Sequence, residues 1–194
     1  GIVGRRRGWR RRWQLVTMAL AVVAAGVILL SIGLITIYNG LVGARQRVRE
    51  GWSAIDVQLK RRASLIPNLV EAVKGYAAYE RGTMERIAEA RGALGRAAGP
   101  GAAARADADL TGALQTFFAV AEAYPDLKAS ERFAQLQRDL ADTENKVAYA
   151  RNYYNGAVET YNIRVQSFPS LLVARRFGFQ AAEFFAADDL KALS

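Results

Sequence analysis

The sequence LVTMALAVVAAGVILLSIGLITI, residues 15–37, decides the architecture of this chain. It contains no charged residue, and its polar interruptions are Thr17, Ser31 and Thr36. As a helix it would be roughly 34 Å long, which is enough to cross a hydrocarbon core of about 30 Å. It is also longer than the apolar region of a signal peptide, which spans about 7 to 15 residues. We therefore predict a retained transmembrane helix over residues 14–38.

The basic residues are concentrated beside this run. Residues 1–50 carry nine Arg and one acid, whereas the other 144 residues carry 18 basic and 17 acidic side chains. A nearly neutral domain argues against a nucleic-acid-binding face, so we assign the basicity to contact with anionic lipids. Arg and Trp beside a span favour the membrane interface. The predicted membrane-interface residues of the tail, 1–13, are Arg5, Arg6, Arg7, Trp9, Arg10, Arg11, Arg12 and Trp13.

The distribution of arginine also predicts the topology. Six Arg precede the span, and three (Arg45, Arg47 and Arg49) follow it closely. Because basic flanks are retained in the cytoplasm, we expect a cytoplasmic N-terminus and a large domain on the other side of the membrane.

Composition limits the chemistry of that domain. The chain has no Cys and no His, which excludes a disulfide, a thiolate nucleophile, an imidazole base and a Cys/His zinc site. Glu122 and Asp126 flank Pro125, but their spacing does not show that they converge. We therefore expect no enzyme, and we assign no catalytic, cofactor-binding or metal-binding residue and no cofactor.

After the apolar run, apolar residues recur every three or four positions, as in a helix with one buried stripe. This stripe predicts a helix that continues the span. Pro67 is expected to end or sharply redirect it, because the ring removes a hydrogen bond. Its members are Leu41, Ala44, Val48, Gly51, Trp52, Ile55, Leu59, Arg62 and Ile66.

Three further helices are predicted by the same spacing. The second runs from Leu69 to Leu94 and is followed by a Gly/Pro/Ala loop over residues 95–108; the third begins at Asp107 or Asp109 and stops before Pro125. The fourth runs from about Ser130 to Pro169. Its stripe is Phe133, Leu136, Leu140, Thr143, Val147, Ala150, Tyr154, Ala157, Tyr161, Arg164, Val165 and Phe168.

No alternating pattern long enough for a strand occurs. We predict an all-α chain in which the N-terminal transmembrane helix is continuous with an elongated antiparallel three- to four-helix bundle over residues 39–169. Residues 170–194 form a short amphipathic aromatic tail, which either packs on the bundle or lies on the bilayer or on a neighbouring subunit.

Several long motifs carry a family resemblance. They are YN at 38–39, WSAIDVQLKRRASLIPNLVEAVKGYA at 52–77, EAYPDLKA at 122–129, TENKVAYARNYYNGAVETYN at 143–162, FP at 168–169, FGF at 177–179 and FF at 184–185. With the preceding span, this pattern resembles the LemA family of bacterial membrane proteins. The resemblance implies a single-pass protein of the bacterial inner (cytoplasmic) membrane with a helical bundle and no established catalytic activity. Some members take part in building magnetosome membranes, and others accompany membrane protease systems.

The residues of these motifs have mostly structural interpretations. Asp56 and Lys60 lie four apart on one helix face, and Lys60, Arg61 and Arg62 are candidates to pair with Glu71, Glu80, Glu122 or Glu144 across helices. The predicted structural or interaction residues are Asp56, Lys60, Arg61, Arg62, Pro67, Asn68, Glu71, Lys74, Tyr124, Pro125, Asp126, Lys128, Glu144, Asn145, Arg151, Tyr154, Asn155, Tyr161 and Asn162.

Two functions fit these features. The first is a non-enzymatic, self-associating membrane scaffold that shapes or remodels the bilayer, whose spans could approach through Ala21 and Ala25. Its partners would be the bilayer and further copies of the chain. The alternative is an adaptor or signalling module that partners a membrane protease or receptor through the bundle.

Overall fold

The structure, a computed structural model, describes residues 3–76 and 81–186, with side chains described from Trp13 onward. All regular structure in these ranges is helical, which confirms the prediction of an all-α chain. The helices are α1 (Val3–Val73), α2 (Arg81–Arg96), α3 (Pro100–Ala121), α4 (Pro125–Lys128), α5 (Glu131–Gln166) and α6 (Ser170–Phe177).

The chain divides into two compact units. The first comprises Gly1–Gly43 and Arg164–Gln180, and the second comprises Ala44–Ile163 and Ala181–Ser194. The first unit holds the apolar run. In the most apolar 18-residue window of this run, no residue is buried. By length and composition this part of α1 is suited to span a membrane. As predicted, the same helix continues into the stripe that forms the core of the second unit.

The prediction that Pro67 ends the first helix is wrong, because α1 continues through it to Val73. Proline has no N–H, so the carbonyl oxygen of Ala63 loses its usual partner within the helix. In this fold Arg91 of α2 supplies a replacement: its Nε donates to the Ala63 oxygen at 3.0 Å. A side chain from a neighbouring helix thereby satisfies the group that would otherwise favour helix termination.

The boundaries of the next two helices also differ from prediction. Leu69 and Val73 belong to α1 instead, and α2 comprises Arg81–Arg96. The third begins at Pro100, inside the predicted loop. Its start is explained by local chemistry: Gly99 adopts φ 95°, Pro100 occupies the first turn, and a run of alanines with high helix propensity follows.

The predicted stripes form most of the core of the described bundle. On α1 every predicted member is buried except Trp52, which is half-buried. On α5 the stripe is confirmed from Phe133 to Tyr154 and again at Tyr161 and Val165, while Val158 is buried in place of Ala157. Phe168 lies beyond the end of α5 and is 80% exposed, so its assignment to the stripe is wrong.

Candidate functional site

The largest fully buried side chain in the described chain is a charged one. Arg62 lies on the buried stripe of α1, between Leu59 and Ile66, and only 1% of its surface is exposed. A guanidinium ion is rarely buried without partners because desolvation of its charge is expensive. Its surroundings therefore make up the most unusual chemistry in the second unit.

Three acceptors on two other helices surround this guanidinium. Its Nη1 donates to Asp107 Oδ1 at 2.7 Å and to Thr111 Oγ1 at 3.0 Å, both on α3. Its Nη2 donates to Glu144 Oε2 on α5 at 3.5 Å. Thr111 in turn donates to the carbonyl oxygen of Asp107 at 2.9 Å, which fixes the hydroxyl as an acceptor for Arg62. We call Arg62, Asp107, Thr111 and Glu144 the arginine cluster.

The two acids of the arginine cluster lie in different environments. The Asp107 side chain is 13% exposed, whereas that of Glu144 is 51% exposed. Burial raises the pKa of Asp107, and the charge and hydrogen bond of Arg62 oppose that rise. The Arg62–Asp107 pair therefore resembles a buried ion pair that fixes how helices pack, while Glu144 adds a screened contact at the edge.

A polar pocket of about 360 Å³ opens beside the cluster. Gln115 and Arg151 line it together with Asp107, Thr111 and Glu144, and Phe185 forms part of its wall. The charge of Arg151 also favours the ionised form of Asp107. Within the described residues, no group of three or more His, Cys, Asp or Glu side chains is placed to hold a metal ion.

A second set of polar contacts holds the C-terminal segment 182–186 on α5. The side-chain amide of Asn155 donates to the carbonyl oxygen of Phe185 at 3.1 Å and accepts its N–H at 2.9 Å. Asn162 makes the same two bonds to Ala182, at 2.9 and 2.8 Å. We call Asn155 and Asn162 the asparagine clamp. They stand two turns apart on one face of α5, so they capture an extended backbone at two points.

Tyr154 completes the attachment beside the asparagine clamp. Its hydroxyl donates to the carbonyl oxygen of Glu183 at 2.7 Å, and burial raises its pKa to about 12. Trp52 of α1 packs between the Tyr154 and Phe185 rings, with centroid distances of 6.1 and 6.4 Å. Gly51 makes this close approach of α1 and α5 feasible, since a Cβ there would lie 3.0 Å from Tyr154 Cα.

Among the predicted motif residues, the structure brings together those of the two sets above. The proposed pairing of Arg62 with Glu144 occurs, and Lys60 bonds Asp56 at 2.6 Å within α1. Arg61 instead lies 3.8 Å from Asp142. Tyr161 is buried on the stripe of α5, where burial raises its pKa.

The remaining predicted residues lie at exposed or half-buried positions. Lys74 approaches Glu71 at 3.4 Å on the surface of α1. Glu122 is exposed at the end of α3, and Glu80 lies outside the described residues, as do the side chains of the basic tail before Trp13. The other exposed or half-buried members are Pro67, Asn68, Tyr124, Pro125, Asp126, Lys128 and Asn145.

Sequence reasoning missed Asp107 and Thr111 as functional positions. The signal was present: Asp107 stands four residues after Ala103 and three before Leu110, on the face of α3 that is otherwise apolar. A lone acid on a buried face requires a basic partner, and Arg62 on the stripe of α1 requires an acid.

Comparison with known proteins finds magnetosome proteins and a LemA protein among the relatives of this chain. The chain is 24% identical to magnetosome protein MamQ of Magnetospirillum gryphiswaldense over 196 residues, covering 88% of this chain and 72% of that protein. It is 27% identical to magnetosome protein MamQ 2 of Paramagnetospirillum magneticum over 174 residues, covering 76% and 64%. It is 24% identical to protein LemA of Metamycoplasma hominis over 157 residues, covering 79% and 70%.

These relatives and the long apolar part of α1 support membrane association. The model of the LemA family matches residues 51–193, which include the arginine cluster, the asparagine clamp and the segment that the clamp holds. The chain belongs to the LemA family.

Proposed function

We propose that this chain is a non-enzymatic, single-span membrane protein that self-associates into a scaffold and shapes the bilayer. Its N-terminus would be cytoplasmic, with the basic tail on anionic lipids and the second unit outside. The absence of His and Cys from the sequence and the pairing of Asp107 with Arg62 support a structural rather than catalytic role. Two of its relatives are magnetosome proteins, which supports a role at an organelle membrane.

One observation carries this proposal: an apolar groove between α1 and α5 on the second unit. The groove has a volume of about 400 Å³ and is lined by Ala54, Gln58, Asn145, Lys146, Tyr149 and Ala150. Tyr149 is 79% exposed although it belongs to the family motif at 143–162. Large exposed aromatic rings beside an apolar groove are typical of protein interfaces.

A second copy of the chain is the occupant that the groove fits best. A shared membrane anchor would hold copies in one plane and one orientation, which raises their local concentration. In the span, a Cβ added at Gly26 or Gly33 would meet nothing within 4 Å, which leaves that surface open for lateral contact.

The test is assembly and membrane shape in the same preparation. The full chain is reconstituted into liposomes over a range of protein-to-lipid ratios, imaged by electron microscopy, and its mass is measured after extraction with native-like lipid. We expect oligomers and curved or tubular membranes whose abundance rises with protein density. A protein that stays monomeric at every density would overturn the proposal.

Two arginine substitutions provide a matched comparison. Ala54→Arg places a charge in the groove, whereas Ala88→Arg places it at an exposed position on α2. We expect only the groove variant to lower the oligomeric fraction, by about tenfold or more, because it buries an unpaired charge in the contact. Equal assembly by both variants would exclude the groove. Photo-crosslinking from position 149 in cells that captured another membrane protein, and no second copy, would favour the adaptor alternative.

A further inference from the structure

A second group of exposed apolar side chains lies in the first unit, outside the apolar run of α1. Phe168 is 80% exposed, and Leu172 and Phe177 are each 60% exposed. They belong to residues 164–177, which comprise the end of α5, the turn at 167–169 and α6, and which we call the α6 segment. Exposing these apolar side chains to water would be unfavourable in free energy, so we expect another surface to cover them.

The α6 segment is attached to the end of the span. The ring of Tyr38, the first residue after the apolar run, packs edge-on against Phe177 with centroids 5.0 Å apart. The same ring contacts Phe179 at 5.7 Å. One turn beyond the apolar run, the carbonyl oxygen of Gly40 accepts a hydrogen bond from Arg164 Nη1 at 3.0 Å.

These contacts fix the depth of the segment in the membrane. Gly40 is three residues beyond Ile37, or about 4.5 Å along the helix axis. The interfacial layer on each side of a bilayer is about 5 to 8 Å thick. Arg164 and Phe177 therefore lie at the level of the lipid headgroups when the apolar run of α1 spans the hydrocarbon core.

The charge of the segment suits that position. Residues 164–177 contain Arg164, Arg175 and Arg176 and no acidic residue. Arg175 and Arg176 are exposed, and they lie on either side of Leu172 around the helix, at three and four residues from it. An arginine at the interface can bury its aliphatic stem and bind a phosphate with two parallel N–H groups.

We propose that the α6 segment is a second membrane-binding element, specific for anionic phospholipids. Phe168 and Leu172 insert at the boundary between headgroups and acyl chains, and Arg175 and Arg176 bind lipid phosphates beside them. The span then holds the protein in the bilayer, while α6 fixes which lipids surround its exit point. This inference does not depend on self-association.

The chain contains no cysteine, so a fluorophore can be attached at a single introduced cysteine. The full-length Phe168→Cys and Leu172→Cys variants carry an environment-sensitive fluorophore and are reconstituted into nanodiscs of phosphatidylcholine with rising phosphatidylglycerol. Quenching by lipids with a nitroxide at the headgroup or shallow acyl position measures contact. The control is Gln137→Cys, an exposed position on α5 in the second unit. We expect quenching several-fold above the control at positions 168 and 172.

The arginines are tested on the Phe168→Cys background. Each basic side chain near an anionic surface contributes about 1 kcal/mol, so Arg175→Gln with Arg176→Gln should lower the local preference for phosphatidylglycerol by about 30-fold. Unchanged circular dichroism would show that these variants still fold. The proposal is overturned if positions 168 and 172 are quenched no more than the control, as when a second copy covers them. It is also overturned if the lipid preference survives loss of both arginines.

Discussion

Replacing Arg62 with methionine would test whether the arginine cluster holds the bundle together. Methionine retains much of the buried aliphatic volume and removes the charge. The Asp107 carboxylate, 13% exposed, would then lose its closest counter-charge while Glu144 remained half in solvent. Removing one partner of a buried ion pair typically costs about 3 to 5 kcal/mol, and we expect Arg62→Met to lie in that range.

The other members of the cluster give graded comparisons. Glu144→Gln should cost less than about 1 kcal/mol, because its contact with Arg62 is longer and largely screened by solvent. The double variant Arg62→Met with Asp107→Leu removes both buried charges and should recover most of the loss, since apolar replacements of buried ion pairs are often close to neutral. Together with the Asp107→Leu single variant, these form a double-mutant cycle that separates the penalty for an unpaired charge from the contribution of the pair.

The measurement is urea unfolding of the full chain in detergent, followed by far-ultraviolet circular dichroism at neutral pH. Free energies of unfolding are compared at unchanged m-values, so that changes in the unfolded state do not enter. An Arg62→Met variant that lost less than about 1 kcal/mol would refute the assigned role of the cluster. So would a double variant as unstable as the single one.

Three further predictions concern the packing of α5. Asn155→Ala should abolish the hydrogen-exchange protection of the Phe185 main-chain N–H, which its side chain binds, and lower the free energy of local opening by about 1 to 3 kcal/mol. The control Asn152→Ala, at an exposed position on the same helix, should change neither quantity. Gly51→Ala should lower the free energy of unfolding by about 1 to 3 kcal/mol, because its methyl group meets the α5 backbone, while Gly43→Ala meets no atom within 4 Å and should be neutral or stabilising. The folded-state pKa of Tyr154 is raised to about 12, so its stabilisation should be complete below pH 10 and lost as the pH rises toward 12; a pH titration that showed the same decline in Tyr154→Phe would contradict this assignment.

Periodicity alone predicted the helices and much of their buried surface. The stripe from Leu41 to Ile66 and that from Phe133 to Tyr154 follow from three- and four-residue spacing, which the packing of one helix on another requires. The exchange of Ala157 for Val158 shows where this reasoning fails. Steps of three and four residues can alternate in either order, so after Tyr154 a step of four reaches Val158, and the stripe then returns to the predicted Tyr161 and Val165.

The remaining errors concern contacts between segments distant in sequence. The continuation of α1 through Pro67 depends on Arg91, 28 residues from the carbonyl group that it satisfies, and no local rule includes that contact. Asp107 lies one turn before Leu110 on the buried face of α3, but its partner Arg62 is 45 residues away, and no local rule pairs the two. Asn155 and Asn162 were predicted as interaction residues, and they do bind main-chain carbonyl groups outside α5. The segment that they hold could not be predicted, since an extended segment held by side chains has no periodic signal of its own.

The asparagine clamp gives the bundle the properties of a receptor that carries its own ligand. Asn155 and Asn162 bind only main-chain groups, so they accept many different side chains at residues 182–186. Sequence selectivity then depends on the buried ring of Phe185. Because the ligand is tethered to the receptor, its effective concentration is on the order of millimolar. A free peptide with an aromatic residue at the same spacing would therefore compete only at comparable concentration. The chain's own C-terminal segment therefore determines the occupancy of the site. A competing segment tethered to the same membrane would also have a raised effective concentration.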